Sequence, residues 1–479
     1  MVKTFKIVER LGVDVFIPDG DMISPYCQHG PTILFERYFK DKSSRRFYAC
    51  SASRDRKGCP FFQWEDEKIT AGKHIVQSEF TNKLDQEKAT VEKFHQVREE
   101  SLSSKMSLFF CYQCGHVFTS TAMENHQEHK TAELSKSDLN KPSKFLAPAE
   151  NKKTNAQFFF SDSCCSFIVS TLVRLGFEKI ISLGVPRIHE KIQNNYSRKS
   201  GKQESILLDI DKRYAQFLPA TEFLHYNMFN NFFFGGEDAK SIFKEFLSNV
   251  DSKKIALVMD PPFGGLMSLL ASSIGRLRAL YETDSTTNTG DLTIVMIFPY
   301  FLESHVSEAF PTLNMTDYRV CYENHPNFKQ RTAERGSPIR IFTNIPDKDF
   351  VLPASDGYRF CKVCKRYVAA NNIHCAQCNA CTSKDGRQYV HCEMCQKCVK
   401  PGRIHCQTCN SCEAKDHECR RKTMDSFTCH ICGDTGHKRK DCPEKSRLNL
   451  KRKSSGNTEI KGKKLKKSNS KCSKKKKNK

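Results

Sequence analysis

Twelve cysteines and four histidines are crowded into residues 361–419, at intervals that repeat. The unit His-Cys-x2-Cys-x2-Cys begins at His374, again at His391 and again at His405. Cys361-x2-Cys364 precedes the three units and His417-x-Cys419 follows them. The segment has few large apolar side chains, so hydrophobic burial alone cannot order it, and sixteen thiol and imidazole ligands suffice for four closed tetrahedral zinc sites. The rest of the chain agrees with thiols kept for metal. The opening "MVKTFKIVER" has Glu9 and Arg10 where a secretory leader needs an apolar run. The longest apolar stretch, residues 292–302, is too short for a membrane span and contains a proline. A soluble intracellular protein follows as the expectation, with its 24 cysteines reduced or metal-bound rather than paired in disulfides.

The repeat resembles the cysteine-rich domain of DHHC palmitoyltransferases, in which each CxxC pair is completed by the His and last Cys of the next repeat. That resemblance implies four interlocked sites: Cys361/Cys364/His374/Cys381, Cys375/Cys378/His391/Cys398, Cys392/Cys395/His405/Cys412 and Cys406/Cys409/His417/Cys419. The DHHC tetrad is absent, which excludes acyl transfer. Three further groups have zinc spacing. Cys27-x-His29, Cys50 and Cys59 surround "RRFYAC", with Arg46 and Phe47, and resemble a GRF-type zinc ribbon, a small nucleic-acid-binding module. Trp64, the single Trp, is expected in the core of that ribbon rather than as a base-stacking platform. Cys111-x2-Cys114 followed by His126-x2-His129 resembles a C2H2 finger with a shortened His pair, its small core supplied by Val117 and Phe118. Cys429-x2-Cys432-x4-His437-x4-Cys442, with Gly433 and Gly436 at the turns, matches the CCHC zinc knuckle that binds single-stranded RNA. Cys164, Cys165, Cys321 and Cys472 remain, and are expected to be buried or incidental thiols.

Between residues 155 and 350 the composition changes to apolar runs. Residues 163–176 read as a helix ended by Gly176, and "KIISLG", "SILLDID", "KIALVM", "LTIVMIF" and "IRIFTNI" read as strands buried on both faces of a mostly parallel sheet. Ligands of such sheets sit at the carboxyl ends of the strands. The ends here are polar or bent: Gly184 after the first strand, Asp209 and Asp211 after the second, "DPPFGG" (260–265) after a later one. Asp209 stands 25 residues after Gly184, the interval at which a ribose-binding acid is placed in dinucleotide folds. The expected fold is therefore α/β, and together these features resemble a class I, Rossmann-like S-adenosylmethionine-dependent methyltransferase domain.

The DPPF stretch resembles the [DNS]-P-P-[YFW] motif of methyltransferases that act on an exocyclic nitrogen. The adenine amine is a poor nucleophile because its lone pair is delocalised, and two fixed acceptors make it more electron-rich. By that likeness Asp260 and the Pro261 carbonyl are the acceptors, Pro262 fixes them, and Phe263 stacks on the base. With "NKKTNAQFFF", "LLDID" and "YNMF", the order of modules resembles a family of N6-adenosine methyltransferases of large-subunit ribosomal RNA. The family resemblance implies a cofactor pocket lined by Gln157, Phe158, Phe159, Phe160, Arg187, Asp209, Asn227, Met228 and Asp260. It implies S-adenosylmethionine and about seven Zn2+ as cofactors, and as partners a structured rRNA loop with an accessible adenosine, other RNAs and ribosome-assembly factors, with no membrane. The expected division is ribbon 1–100, finger and linker 101–150, methyltransferase 151–350, multi-zinc domain 351–424, knuckle 425–444 and tail 445–479. The tail has sixteen Lys or Arg against one acid, Glu459, of a chain whose net charge is +23. It is expected to be disordered, to favour polyanions and to act as a nuclear or nucleolar address, with the cytoplasm as a further location. Two other readings stand beside this one: a non-catalytic RNA-binding zinc array on a decayed methyltransferase fold, and a protein glutamine methyltransferase.

Overall fold

The computed structural model describes residues 12–16, 24–39, 43–52, 58–68, 71–149, 157–197, 203–282, 291–325, 328 and 336–417. The knuckle, Cys419, Cys472 and the basic tail lie outside them. Residues 13–37 and 45–420 form one compact unit, described below; the second unit, residues 1–12, 38–44 and 421–479, falls almost wholly outside the described residues.

The apolar runs of the middle region assemble into an eight-stranded sheet. Its strands are β1 (Lys179–Leu183), β2 (Glu204–Asp209), β3 (Phe223–Asn227), β4 (Phe232–Phe233), β5 (Ile255–Met259), β6 (Thr293–Pro299), β7 (Asn314–Met315) and β8 (Ile339–Thr343). Their order is β4-β3-β2-β1-β5-β6-β8-β7. The five strands from β3 to β6 are parallel, while β8 runs antiparallel to β6 and to β7. Every residue of β5 is buried, as a run of Ile, Ala, Leu, Val and Met without alternation requires when both faces are covered. One face packs helices α2 (Asp162–Arg174) and α3 (Pro186–Ile192), the other α4 (Gly236–Leu247), α5 (Met267–Glu282) and α6 (Glu303–Ala309). From β1 the chain adds strands on one side, then returns to add β5 and β6 on the other. That reversal opens a crevice at the carboxyl ends of β1 and β5. Strand β3 was not legible in the sequence because "FLHYN" holds His and Asn, yet all five residues are buried; His225 stacks on Phe234 with ring centroids 3.7 Å apart.

The zinc-spaced segments pack against this domain. Strands Gly12–Phe16, Ile33–Tyr38, Ser44–Ala49 and Phe62–Trp64 form the ribbon sheet. Leu34, Tyr48 and Phe61 point inward, and Phe61 meets Phe80 of the 34-residue helix α1 (Ala71–Ser104). Trp64 departs from the sequence expectation. It shares the opposite face with Phe47 and Phe62, half-buried, with the Arg45 guanidinium 4.1 Å from its ring centre. The reason is the two-residue alternation of the strand: Phe61 is inside, so Phe62 and Trp64 are outside. Farther along α1, Val91, Phe94 and Val97 pack on a core shared by the finger's Phe110 and Val117 and the sheet domain's Tyr214 and Phe217.

The array is four hairpins, Tyr358–Cys361 with Arg366–Ala369, His374–Cys375 with Ala380–Cys381, Val390–Cys392 with Lys397–Val399 and Arg403–Cys406 with Ser411–Ala414. In each turn the residue after the second Cys is left-handed: Lys365, Asn379, Gln396 and Asn410 have φ of 52°, 47°, 49° and 49°. The finger uses Gly115 at the same place. Side chains pay about 1 kcal/mol for that conformation, and the turns adopt it because it aims both thiols at one point. The first hairpin belongs as much to the sheet domain as to the array, since Tyr358 and Ala369 are in the core of the α2 face.

Candidate active site and metal centres

The strand tips converge at the reversal point. Gly184, just past β1, has φ +68°, donates its N–H to Leu208 O (2.9 Å), and Asp260 N–H reaches back to Leu183 O (3.3 Å). A side chain at Gly184 would stand 3.2 Å from Met228 Cε and 3.5 Å from Asp260 O, so the floor of the crevice is bare backbone between those two residues. Met228 and Phe229 continue β3 across the crevice. Phe229 covers Gly265, where a Cβ would lie 2.4 Å from its ring, and Gly265 N–H closes the DPPF turn on Pro262 O (2.7 Å). The DPPF turn leaves Pro261 buried and Pro262 exposed, and Phe263 is 39% exposed, edge-on to Phe298 at 5.6 Å.

Two carboxyls stand at these strand tips, and burial raises both. Burial pushes Asp209 up to about 7, helped by Asp211 beside it, while Asp209 Oδ1 accepts Asp211 N–H (2.9 Å). Asp211 is itself engaged by Arg213, whose Nη2 lies 2.6 Å from Oδ2. Burial also raises Asp260 well above the carboxylate range.

A strap made of residues 157–160 crosses the carboxyl edge of the sheet. Asn324 clamps it, accepting from Phe159 N (2.8 Å) and donating to Gln157 O (3.0 Å), and Glu323 N–H bonds Phe159 O (2.8 Å). Gln157 is tied by side-chain bonds to Ala149 N (2.9 Å) and Tyr214 OH (3.3 Å), and Arg187 is ion-paired with Glu323. Asn227 does something the sequence did not announce. Its amide donates to His29 O (2.9 Å) and Ser51 Oγ (3.0 Å) of the ribbon, and its carbonyl accepts Phe229 N–H (3.1 Å). Asn230 donates to His29 O and Pro31 O, and Gly30 sits against the Phe232 ring. The Asn227 side chain therefore anchors the ribbon. Sequence reasoning also missed Tyr322 and Asn324, which follow no motif.

The metal-spaced residues gather as sets. Cys27/His29/Cys50/Cys59, Cys111/Cys114/His126/His129, Cys361/Cys364/His374/Cys381, Cys375/Cys378/His391/Cys398 and Cys392/Cys395/His405/Cys412 each bring four ligand atoms within 4.8 Å of one another. Zinc–thiolate arms of about 2.3 Å set tetrahedral edges near 3.8 Å. The Cys364–Cys381, Cys378–Cys398 and Cys395–Cys412 sulfurs lie 3.8, 3.7 and 3.6 Å apart, so the donor sets fit that ion. In the last hairpin Cys409 Sγ is 3.2 Å from His417 Nε2 with Cys406 close by; Cys419 lies outside the described residues. The leftover Cys164, Cys165 and Cys321 are buried.

Residues 151–344 match the family model described as "Probable N6-adenine methyltransferase", and residues 25–68 match the GRF zinc finger. The chain is 44% identical over 443 residues to the rRNA N(6)-adenosine-methyltransferase ZCCHC4 of Homo sapiens, covering 90% of this chain and 85% of that protein. It is 45% identical over 431 residues to the protein of that name from Xenopus tropicalis (88% and 87% covered), and 43% over 446 to that from Bos taurus (90% and 85%).

Proposed function

This chain belongs to the rRNA N(6)-adenosine-methyltransferase ZCCHC4 family, and from that premise we propose that it methylates N6 of an adenosine in large-subunit rRNA with its own DPPF tip. The observation that carries the reading is the meeting of Gly184, Met228 and the Asp260 backbone at the reversal of the sheet. The bare glycine floor and the buried acid of β2 fit S-adenosylmethionine, which supplies an electrophilic sulfonium methyl when bound. Asp209 would hold the ribose hydroxyls, and Met228 and the strap residues Phe158–Phe160 would bound the pocket. The adenosine, drawn from its stack, would lie against the exposed Phe263 ring. Asp260 and the Pro261 carbonyl would accept its two N6 hydrogens. Asp260, entering in its ionised form, would take up at Oδ the N6 proton that the amine sheds on methylation.

The zinc modules and the basic tail support an RNA substrate over a protein one: a structured loop presenting an unpaired adenosine, met in the nucleolus during subunit assembly, in company with assembly factors. We assign seven zinc ions, one each to ribbon, finger and knuckle and four to the array. The test is transfer of labelled methyl from S-adenosylmethionine to total RNA, followed by digestion to nucleosides. The label should appear in N6-methyladenosine. Asp260→Ala should lower the rate by about 10²-fold or more while the protein still binds cofactor and RNA. Label on protein glutamine, or an Asp260→Ala variant of normal rate, would overturn the proposal.

A further inference from the structure

Tyr322 is 2% exposed, and among the described residues its hydroxyl has no hydrogen-bond partner. Buried hydroxyls without partners are rare because the lost hydration is not replaced, and each calls for an explanation. Its place in the fold supplies one. From Thr316 the chain runs along β8, bonding Ile341 O and then Ile339 O, toward the end of β8 that pairs with Pro299 at the carboxyl end of β6. Tyr322 therefore arrives at the carboxyl edge of the sheet. There it bridges to Phe160, and its ring lies 5.4 Å from Phe160 and 5.8 Å from Phe158. It shares the α2 face with Val185, beyond the tip of β1, and with Val258 of β5.

A cofactor whose ribose is held at β2 and whose methyl is presented at the tip of β5 still has to place its adenine, beyond the ribose, and its amino-acid end. That end must continue past β1 toward the strap. We propose that the Tyr322 hydroxyl is a cofactor-positioning group that donates a hydrogen bond to the α-carboxylate of S-adenosylmethionine; this rests on the methyltransferase reading above. The phenol is suited to the task, because burial, with Asp260 nearby, keeps it protonated and so a donor. Phe158 and Phe160 shield the bond from water.

Calorimetry on the full chain tests this with two probes. S-adenosylhomocysteine carries the amino-acid end; 5′-methylthioadenosine lacks it and keeps the adenosyl part. Tyr322→Phe removes only the oxygen, and because that oxygen is unpartnered in the fold, the thermal midpoint of the ligand-free protein should not fall. The variant should bind S-adenosylhomocysteine at least roughly tenfold more weakly than wild type, as expected for a bond to a charged acceptor, and methylthioadenosine equally well. Equal affinity of both proteins for S-adenosylhomocysteine would refute the role of Tyr322 and leave the methyltransferase reading standing. Equal weakening toward both probes would refute it too, since it would mark a purely structural residue. Failure of wild type to bind S-adenosylhomocysteine at all would overturn the cofactor reading itself, and this proposal with it.

Discussion

Asp209 and Asp260 are the same residue type at two strand tips, yet their surroundings set them different tasks. Asp209 has about 7 as its folded pKa against 3.8 for an exposed aspartate, with burial the first cause and Asp211 the second. A raised carboxyl stabilises the fold most below the unfolded value, and that contribution is lost as pH rises through about 7. Ligand hydroxyls reverse the preference, because an ionised carboxylate is the stronger acceptor. Affinity for S-adenosylhomocysteine should therefore rise between about pH 6 and 8 while the ligand-free protein loses stability from about pH 4 to 7. Glu190, also pushed to about 7 by burial, adds to the stability profile, and its carboxylate accepts from Ser143 N and Oγ. The difference between wild type and Asp209→Asn isolates the pocket. In that variant the pH dependence of affinity should flatten, and an unchanged profile would remove Asp209 from the binding site. Both acids were legible because each ends an apolar run. Tyr322 was not, since nothing local marks a tyrosine that reaches the site along β8. Trp64 was misread for want of counting parity from Phe61.

At the scale of elements, metal and core are joined through side chains that spacing does not reveal. Asp317, buried, accepts from Ala369 N (2.9 Å), Asn372 Nδ2 (2.8 Å) and Arg366 Nη1 (3.3 Å), all in the first array unit. Arg340, 1% exposed, donates to Ser337 O, Ile339 O and Lys384 O. The donor sets themselves were implied by the resemblance of the repeat to the DHHC cysteine-rich domain, but their attachment to β7 and β8 could not be read, because it depends on buried polar partners brought together only by folding. Removing one side of a buried charged contact costs about 3–5 kcal/mol. Metal analysis of the full chain should return seven zinc ions, and loss of the first array site should reach the methyltransferase core. Cys361→Ser should lower the thermal midpoint of cofactor-bound protein by several degrees, whereas Cys406→Ser, in the last hairpin, should change it little. Equal effects, or none, would show the array to be an independent appendage.

For the whole molecule, charge decides how the catalytic unit meets a polyanion. Residues 445–479 hold sixteen of the 77 Lys and Arg and one of the 54 acids, so the tail supplies more than half of the net +23. In the folded modules some cations are already engaged: Arg340 is enclosed, the exposed Arg45 pairs with Asp66 at 2.9 Å, and Arg366 is held by Asp317. Affinity for RNA should consequently depend on the tail, and the chemical step on the crevice. Each phosphate contact on a single strand contributes about 0.7 to the slope of log affinity against log salt. If the tail made about six such contacts, deleting 445–479 would make the slope shallower by about four and weaken binding at low salt most. With a short target RNA at saturation, the truncated protein should transfer methyl at the full-length rate, because Asp260, Phe263 and the strap are untouched. A salt slope that survives truncation would move RNA recognition onto the folded zinc modules. A saturated rate that falls with the tail would mean that the basic segment takes part in the reaction at the strand tips rather than in capture alone.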